Sequence, residues 1–234
     1  MYFDYYYLIF VLPAIVLSLW ASLRVNTTFD KYRRQISACR MTGADAARAV
    51  LDANGLQHIR IEQVSGKLTD HFDPGAQVIR LSESTYSDCS TAAIGVAAHE
   101  AGHAIQYASG YTPIRIRSAI IPVTNIGSRL AMPLILIGIL FAGVSTFFAD
   151  LAYVGIACFA LTAVFQLVTL PVEFNASGRA VRVLESTGIL TKEEIGGAKK
   201  VLKAAALTYV AALAVSLMQL LRLLLIVRGN DRRR

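Results

Sequence analysis

The residues with the clearest chemistry form one short string, His99-Glu100-Ala101-Gly102-His103. Residues four apart lie on the same face of a helix, so the two imidazoles can bind one zinc ion. Glu100 lies about 100° around the helix from His99, where it can flank the metal and accept a proton from water. The spacing therefore predicts a hydrolytic metal site with His99 and His103 as ligands and Glu100 as general base.

The residues around this string favour a buried helix. Ser90 is a suitable N-cap for a helix that runs to Ala108, and Gly110 follows its end. Within that helix Glu100 is the only formally charged residue, and a carboxylate in an apolar helix needs a specific role. The alternative is a helix with two ordinary surface histidines, but a surface helix is normally richer in charge.

A tetrahedral zinc site with two histidines and one water lacks a protein ligand. We predict Glu173 for this position, because it directly follows an apolar run that could cross a membrane. Two such runs joined as a hairpin return the chain to the side it left, which would bring Glu173 back to the level of the histidines. Four other candidates remain open at this point, namely Asp70, His71, Glu83 and Glu185.

Residues Thr69, Asp70, His71 and Phe72 precede the turn residues Asp73-Pro74-Gly75. We predict that these four residues form an edge strand beside the metal helix, which would pair with the backbone of a peptide substrate. For His71, turn chemistry before Pro74 is the alternative explanation. A second strand is predicted for 58–64, where apolar and polar residues alternate.

The composition is that of a membrane protein. Of the 234 residues, 55% are hydrophobic and only 17% are charged, which excludes a disordered chain or a disulfide scaffold and disfavours a freely soluble enzyme. Four runs approach the roughly 20 apolar residues that a bilayer-crossing helix needs. They are 6–23, 132–148, 151–172 and 204–227, with a tight turn predicted at 147–150. The last run contains Arg222, a costly charge in lipid unless it faces protein.

The charges predict an orientation in the cell membrane. Lys and Arg number 23 against 16 Asp and Glu, and they flank the apolar runs without forming a nucleic-acid-binding pattern. Basic segments beside apolar spans are typical of cytoplasmic loops, so we expect a multi-pass protein with the metal helix on the cytoplasmic side. The basic tail, Arg228 and Arg232–Arg234, disagrees if the last run crosses fully, and this point stays open. The three cysteines are expected to be reduced.

Three strings carry a resemblance to a known family. They are Lys67–Pro74, Val96–Gln106 and Glu173–Ser177, and together they resemble the bacterial YugP-type membrane zinc metallopeptidases over nearly the whole chain. More distantly, the arrangement is similar to the membrane gluzincins that include the CAAX prenyl endopeptidases and the heat-shock membrane protease. Their third zinc ligand is the Glu of an ExxAD motif, which corresponds to Glu173. Ser177 replaces the Asp of that motif, and the resemblance implies that it orients a zinc-bound histidine.

The sequence and the resemblance together imply a fold and a domain organisation. The expected fold is a mainly α membrane protein with about four transmembrane or membrane-associated helices and a small α+β, zincin-like unit, with an antiparallel β-hairpin beside the metal helix. The expected organisation is an anchor at 1–24, a soluble part at 25–118, a transmembrane hairpin at 119–172, a segment at 173–203 with the third ligand and capping helices, and a C-terminal hydrophobic helix with a basic tail at 204–234.

The function expected from the resemblance is zinc-dependent endopeptidase activity on membrane or membrane-associated proteins. The expected partners are a protein or peptide substrate and the lipid bilayer, and no nucleic acid. Arg179, Arg182 and Tyr209 are candidates for stabilising the oxyanion. A non-catalytic zinc-binding scaffold or sensor is the alternative, although metal binding alone does not need a base at Glu100. A transporter is a third possibility, for which three or four spans are few.

Overall fold

The structure, a computed structural model, describes residues 4–231. Within this range a π-helical turn, Tyr7–Val11, leads into helix α1, and six further helices and three strands follow. Their bounds are α1 Leu12–Arg33, α2 Gly43–Asp52, β1 Arg60–Val64, β2 His71–Asp73, β3 Val78–Ser82, α3 Glu83–Tyr86, α4 Thr91–Ala108, α5 Thr112–Leu140, α6 Thr146–Thr187 and α7 Lys192–Asp231. The prediction of a mainly α protein with a small sheet is confirmed.

Among the residues that the structure describes, four helical segments are long and apolar enough to cross a membrane. They are Tyr7–Arg33, Thr112–Leu140, Thr146–Thr187 and Lys192–Gly229. Each exceeds the roughly 20 residues that the hydrocarbon core requires. The prediction of about four transmembrane or membrane-associated helices is confirmed, although the helix bounds differ from those of the predicted apolar runs.

The predicted bounds of the second span and of the following turn are wrong. Helix α5 ends at Leu140, and Phe147 and Phe148 already belong to α6, so the turn lies at 141–145 instead of 147–150. The hydroxyl of Ser145 accepts a hydrogen bond from the Phe147 N–H at 3.2 Å, which caps the start of α6. Apolar residues on both sides hide this turn in a hydropathy pattern, and the serine cap is the local feature that marks it.

The chain divides into two compact units that alternate along the sequence. The first, here called the helical unit, comprises the chain up to Trp20, Ile116–Leu170 and the chain from Thr208. Within it α5 and α6 pack antiparallel through small residues. A Cβ atom at Gly138 would lie 2.6 Å from the Ala152 backbone nitrogen, and one at Gly155 would lie 2.9 Å from the Ala131 carbonyl oxygen. Such close backbone contact is typical of helix pairs in membranes.

Arg222 in the helical unit faces protein. Its Nε donates a hydrogen bond to Asp4 Oδ2 at 2.8 Å, and its guanidinium lies 5.4 Å from the centre of the Tyr7 ring. The hydrogen bond from Arg222 lowers the pKa of Asp4. The end of α7 therefore lies beside the start of the first helix, so the last apolar helix runs alongside the first instead of doubling back. The predicted basic tail at Arg232–Arg234 lies outside the described residues.

The second unit, here called the site unit, comprises Ala21–Arg115 and Pro171–Leu207. Its sheet has the order β1-β3-β2, with β2 antiparallel and β1 parallel to the central strand β3. The predicted antiparallel hairpin is confirmed. The parallel pairing of β1 was not predicted. It arises because β3 lies between β1 and β2 in the sheet, antiparallel to β2 and parallel to β1.

Helix α4 is the central element of the site unit. The Ser90 hydroxyl accepts a hydrogen bond from the Ala93 N–H at 3.2 Å, and Gly110 after the helix has φ +63°, as its predicted role at the helix end requires. Small residues line α4 and are fully buried with the large apolar side chains of its neighbours: Ala97, Ala98 and Ala101 with Leu51, Ile79 and Leu184. A helix buried on nearly every side can hold polar groups only if their hydrogen bonds are satisfied.

Candidate metal centre

Helix α4 presents its two histidines on one face, one turn apart. The ring centres of His99 and His103 are 4.7 Å apart, and the rings are nearly perpendicular. Glu100, the next residue after His99, is also buried, at 7% exposure. The predicted helical geometry of the His-Glu-x-x-His string is therefore present.

Glu173 of α6 completes the cluster. Its Oε2 lies 3.3 Å from His99 Nε2 and 3.5 Å from His103 Nε2, and its side chain is 2% exposed. One ligand atom from each of the three residues lies within 4.8 Å of the others. Among residues 4–231 no other group of three His, Cys, Asp or Glu side chains converges in this way. The structure thus brings together the three residues predicted as ligands.

The approach of α6 to α4 depends on Gly102. A Cβ atom at this position would lie 2.5 Å from the carbonyl oxygen of Ala176 and 3.3 Å from its Cα. Real Cβ atoms do not approach a backbone oxygen this closely, so only glycine allows the two helices to touch here. Gly102 lies between the metal-facing histidines and Ala176 lies between Glu173 and Ser177, so this contact sets the distance across the cluster.

Each histidine has a hydrogen-bond partner on its other ring nitrogen. Ser177 Oγ lies 3.1 Å from His99 Nδ1, which is the contact that the resemblance implied for Ser177. Gln106 Oε1 lies 3.0 Å from His103 Nδ1. Gln106 was not predicted from the sequence, although a polar residue three positions after His103, in a helix whose only charged residue is Glu100, could have indicated it. Such contacts fix the orientation of metal-binding imidazoles.

The other four candidates for the third ligand are engaged elsewhere or lie apart from the cluster. Asp70 accepts a hydrogen bond from the Ser82 N–H at 2.8 Å, and Glu185 pairs with Lys199 at 2.8 Å. The Nδ1 atom of His71 lies 2.9 Å from the Thr69 carbonyl oxygen. Glu83 begins helix α3 and is not part of the converging group.

The predicted substrate-binding strand is present but shorter than expected. Strand β2 begins at His71, so Thr69 and Asp70 precede it. Left-handed backbone conformations at Gly66 and Leu68 delay the start of the extended segment. The strand forms one edge of the sheet and packs on α4, where the Phe72 ring contacts the Tyr107 ring edge-to-face at 5.6 Å. An edge strand therefore lies against the metal helix, as predicted.

The three oxyanion candidates lie in different surroundings. Arg179 donates a hydrogen bond from Nε to Asn175 Oδ1 at 2.8 Å. Arg182 is exposed and donates to the Gly178 carbonyl oxygen at 3.2 Å. Tyr209 belongs to the helical unit. None of these contacts assigns an oxyanion donor.

Comparison with known proteins identifies the family of this chain. A family model described as "Putative neutral zinc metallopeptidase" matches residues 7–228. The chain belongs to this family. It is also 44% identical over 226 residues to the "Putative membrane protease YugP" of Bacillus subtilis (strain 168), which covers 96% of this chain and 98% of that relative. No solved structure matches the chain. The resemblance to the YugP-type proteins is confirmed.

The donor set fits the metal of this zinc peptidase family. Two imidazoles and one carboxylate are the usual protein ligands of a hydrolytic zinc site, which keeps a fourth position open. The cluster also favours positive charge. Burial alone disfavours the protonated imidazole, but hydrogen bonding to Glu173 and the nearby carboxylates of Glu100 and Glu173 raise the pKa of His103. A cation is therefore stabilised where the three side chains meet.

The contact at Gly102 leads to a testable prediction. Replacing Gly102 with Ala should push α6 away from α4 and destabilise the protein by about 1–3 kcal/mol, as overpacking does. Zinc affinity should fall as well, because Glu173 moves with α6. The measurements are thermal unfolding and zinc titration of the detergent-purified protein.

Gly178→Ala is the matched control, since a Cβ at Gly178 meets nothing within 4 Å. Alanine in an open helical position should stabilise by up to about 1 kcal/mol. Wild-type stability and zinc affinity in Gly102→Ala would show that the close contact does not determine the distances within the cluster of His99, His103 and Glu173.

Proposed function

We propose that this protein is an integral membrane zinc metalloendopeptidase that hydrolyses peptide bonds of membrane or membrane-associated proteins. The observation that carries the proposal is the convergence of His99, His103 and Glu173, with Glu100 beside them on α4. Membership of a zinc metallopeptidase family and the relative named as a membrane protease support the peptidase role. The His-Glu-x-x-His string with a glutamate from a later helix supports the gluzincin type.

His99, His103 and Glu173 would hold the metal. Zinc in such a site lowers the pKa of water and polarises a substrate carbonyl. The Nε2 atoms of both histidines face Glu173 Oε2, so the three donors point to one spot. Ser177 holds His99 through Nδ1, and this leaves Nε2 for the metal.

Glu100 would act as general base and then as general acid. Its carboxylate accepts the proton of the attacking water and delivers it to the nitrogen of the departing amine, so it ends the cycle as it began. Metal binding alone does not need a carboxylate at this position, because Glu173 already supplies the acidic ligand. Burial of Glu100 excludes bulk water from this proton transfer.

Strand β2 would align the substrate. An edge strand offers backbone N–H and C=O groups to an extended peptide, which can pair with it as an added strand. The contact of Phe72 with Tyr107 ties this edge to the metal helix. The side chains of Asp70 and His71 bind Ser82 and Thr69 within the protein, so the proposed contribution of 69–72 is through the backbone.

The role of Glu100 is tested by the isosteric change Glu100→Gln. General base catalysis contributes about 10²–10⁴-fold, so kcat should fall by that factor while zinc content stays at the wild-type level. The measurement is cleavage of casein or a membrane-protein substrate by the detergent-purified protein, with and without a chelator. Metal-dependent function without any cleavage by the wild type would instead support the scaffold or sensor alternative.

The third ligand is tested by comparing two variants. Glu173→Ala should lose zinc or bind it much more weakly, because only two ligands remain. His71→Ala should keep its zinc. The contact of His71 Nδ1 with the Thr69 carbonyl oxygen holds the backbone at the start of β2, so its loss should weaken substrate binding, seen as a raised KM. Zinc retained in the first variant and lost in the second would refute both the ligand assignment and the gluzincin type.

We further propose that the metal centre faces the cytoplasm. Five of the 23 Lys and Arg residues, Arg222, Arg228 and Arg232–Arg234, belong to the last apolar helix and its tail, and the other 18 lie between Arg24 and Lys203. The contact of Arg222 with Asp4 supports an even number of crossings with both chain ends on the opposite side. In this orientation the basic tail would lie outside, against the rule, but it is outnumbered by the basic residues of the site unit.

The orientation is tested by cysteine labelling in intact cells. Cys39 is exposed in the structure, so an impermeant maleimide should label it only after the membrane is permeabilised. Tyr5→Cys in a chain without the three native cysteines is the matched control, because Tyr5 is exposed near the opposite end of the first helix and should be labelled from outside. Labelling of Cys39 but not of Tyr5→Cys in intact cells would reverse the orientation.

A further inference from the structure

Gln106 is a fully buried polar residue that the mechanism above does not use. Its side chain is 0% exposed, and it makes three hydrogen bonds. Its Oε1 lies 3.0 Å from His103 Nδ1, and its Nε2 lies 2.8 Å from the Val172 carbonyl oxygen and 3.0 Å from Asn175 Oδ1. The amide therefore connects a proposed zinc ligand on α4 with the backbone and a side chain of α6.

The orientation of the Gln106 amide follows from neighbouring groups that can only accept or only donate a hydrogen bond. A backbone carbonyl only accepts hydrogen bonds, so the group that faces Val172 must be the NH₂ of Gln106. The guanidinium of Arg179 only donates, so the atom of Asn175 that it contacts at 2.8 Å must be the amide oxygen. That same oxygen faces the Gln106 NH₂. Both amides are thus fixed, and the Gln106 oxygen must point to His103.

The protonation of His103 follows in turn. Because the Gln106 oxygen only accepts, His103 must donate from Nδ1, and a neutral imidazole with a proton on Nδ1 has its lone pair on Nε2. Nε2 is the atom that lies 3.5 Å from Glu173 Oε2, at the metal cluster. Ser177, the partner of His99, cannot impose the same choice, because a hydroxyl both donates and accepts.

Arg179 is held at the far end of this chain of hydrogen bonds. Its guanidinium lies 5.7 Å from the centre of the Tyr111 ring. The turn at Gly110 places Tyr111 there, and the Tyr111 N–H donates to the Gln106 carbonyl oxygen at 3.0 Å. The aromatic face thus holds Arg179, the guanidinium donor that fixes the Asn175 amide, in position.

We propose that Gln106 is the positioning residue that holds His103 with Nδ1 protonated and Nε2 available for zinc, and that Asn175 and Arg179 fix the direction of its amide. The proposal rests on the zinc site proposed above. It assigns to Gln106 and Asn175 a role in metal affinity and ligand geometry, and none in contact with the substrate.

The test compares zinc affinity and the cobalt(II) spectrum of full-length variants in detergent. Gln106→Met keeps the volume but removes the acceptor, so zinc affinity should fall about 10–100-fold and the visible bands of the cobalt form should change. Gln57→Met makes the same change at an exposed glutamine and should alter neither. Wild-type zinc affinity and an unchanged cobalt spectrum in Gln106→Met would overturn the proposal.

Two substitutions at Asn175 separate positioning from packing. Asn175→Asp keeps an acceptor for Gln106 and Arg179 and should retain zinc affinity and the cobalt spectrum, whereas Asn175→Leu should lose both. Equal losses in the two variants would overturn the assigned role of Asn175 and Arg179. If Gln106→Met does not fold, the two Asn175 variants by themselves test the proposal. Absence of peptide cleavage in a zinc-binding wild type would refute the peptidase function but would leave these affinity comparisons valid.

Discussion

The burial of the Glu173 carboxylate is the constraint on which the site unit depends. A carboxylate removed from water is strongly unfavourable unless opposite charge or hydrogen-bond donors surround it. Here the two imidazoles of α4 lie within 3.5 Å of it. They can be that close only because Gly102 has no side chain toward Ala176. One missing Cβ therefore determines whether the three proposed ligands, from two distant parts of the chain, can meet.

Small residues allow close packing along the whole of α4, as Gly102 does at its contact with Ala176. Alanines at 97, 98 and 101 allow neighbouring elements to pack against its backbone, and this leaves no solvent-exposed face for a polar side chain. Glu100, His103 and Gln106 must consequently find their partners inside the protein. A helix that was merely amphipathic would leave such groups in water, where their orientation would not be fixed. Close packing is thus what turns a common ligand spacing into a defined site.

The sequence predicted the parts of this site that depend on local spacing. The two histidines and Glu100 follow from helix geometry, and Glu173 follows from its place after an apolar span. The contacts of Gln106 and Asn175 could not be predicted, because they depend on the register between α4 and α6, which no local pattern encodes. The turn at 141–145 was missed for a related reason, since apolar residues continue across it, and the parallel pairing of β1 reflects an order of strands that alternation does not determine.

The charges of the site explain why neutral side chains orient its histidines. The two carboxylates beside the histidines, Glu100 and Glu173, would balance a divalent cation held by neutral imidazoles. The partners of the histidines, Ser177 and Gln106, add no further charge. A carboxylate in place of Gln106 would face the Val172 carbonyl oxygen and the Asn175 amide oxygen and would supply no N–H to either of them. Neutral partners would therefore keep the buried site electrically balanced with a divalent cation bound, while the proposed role of Arg179 is to set the direction of the histidine proton from a distance.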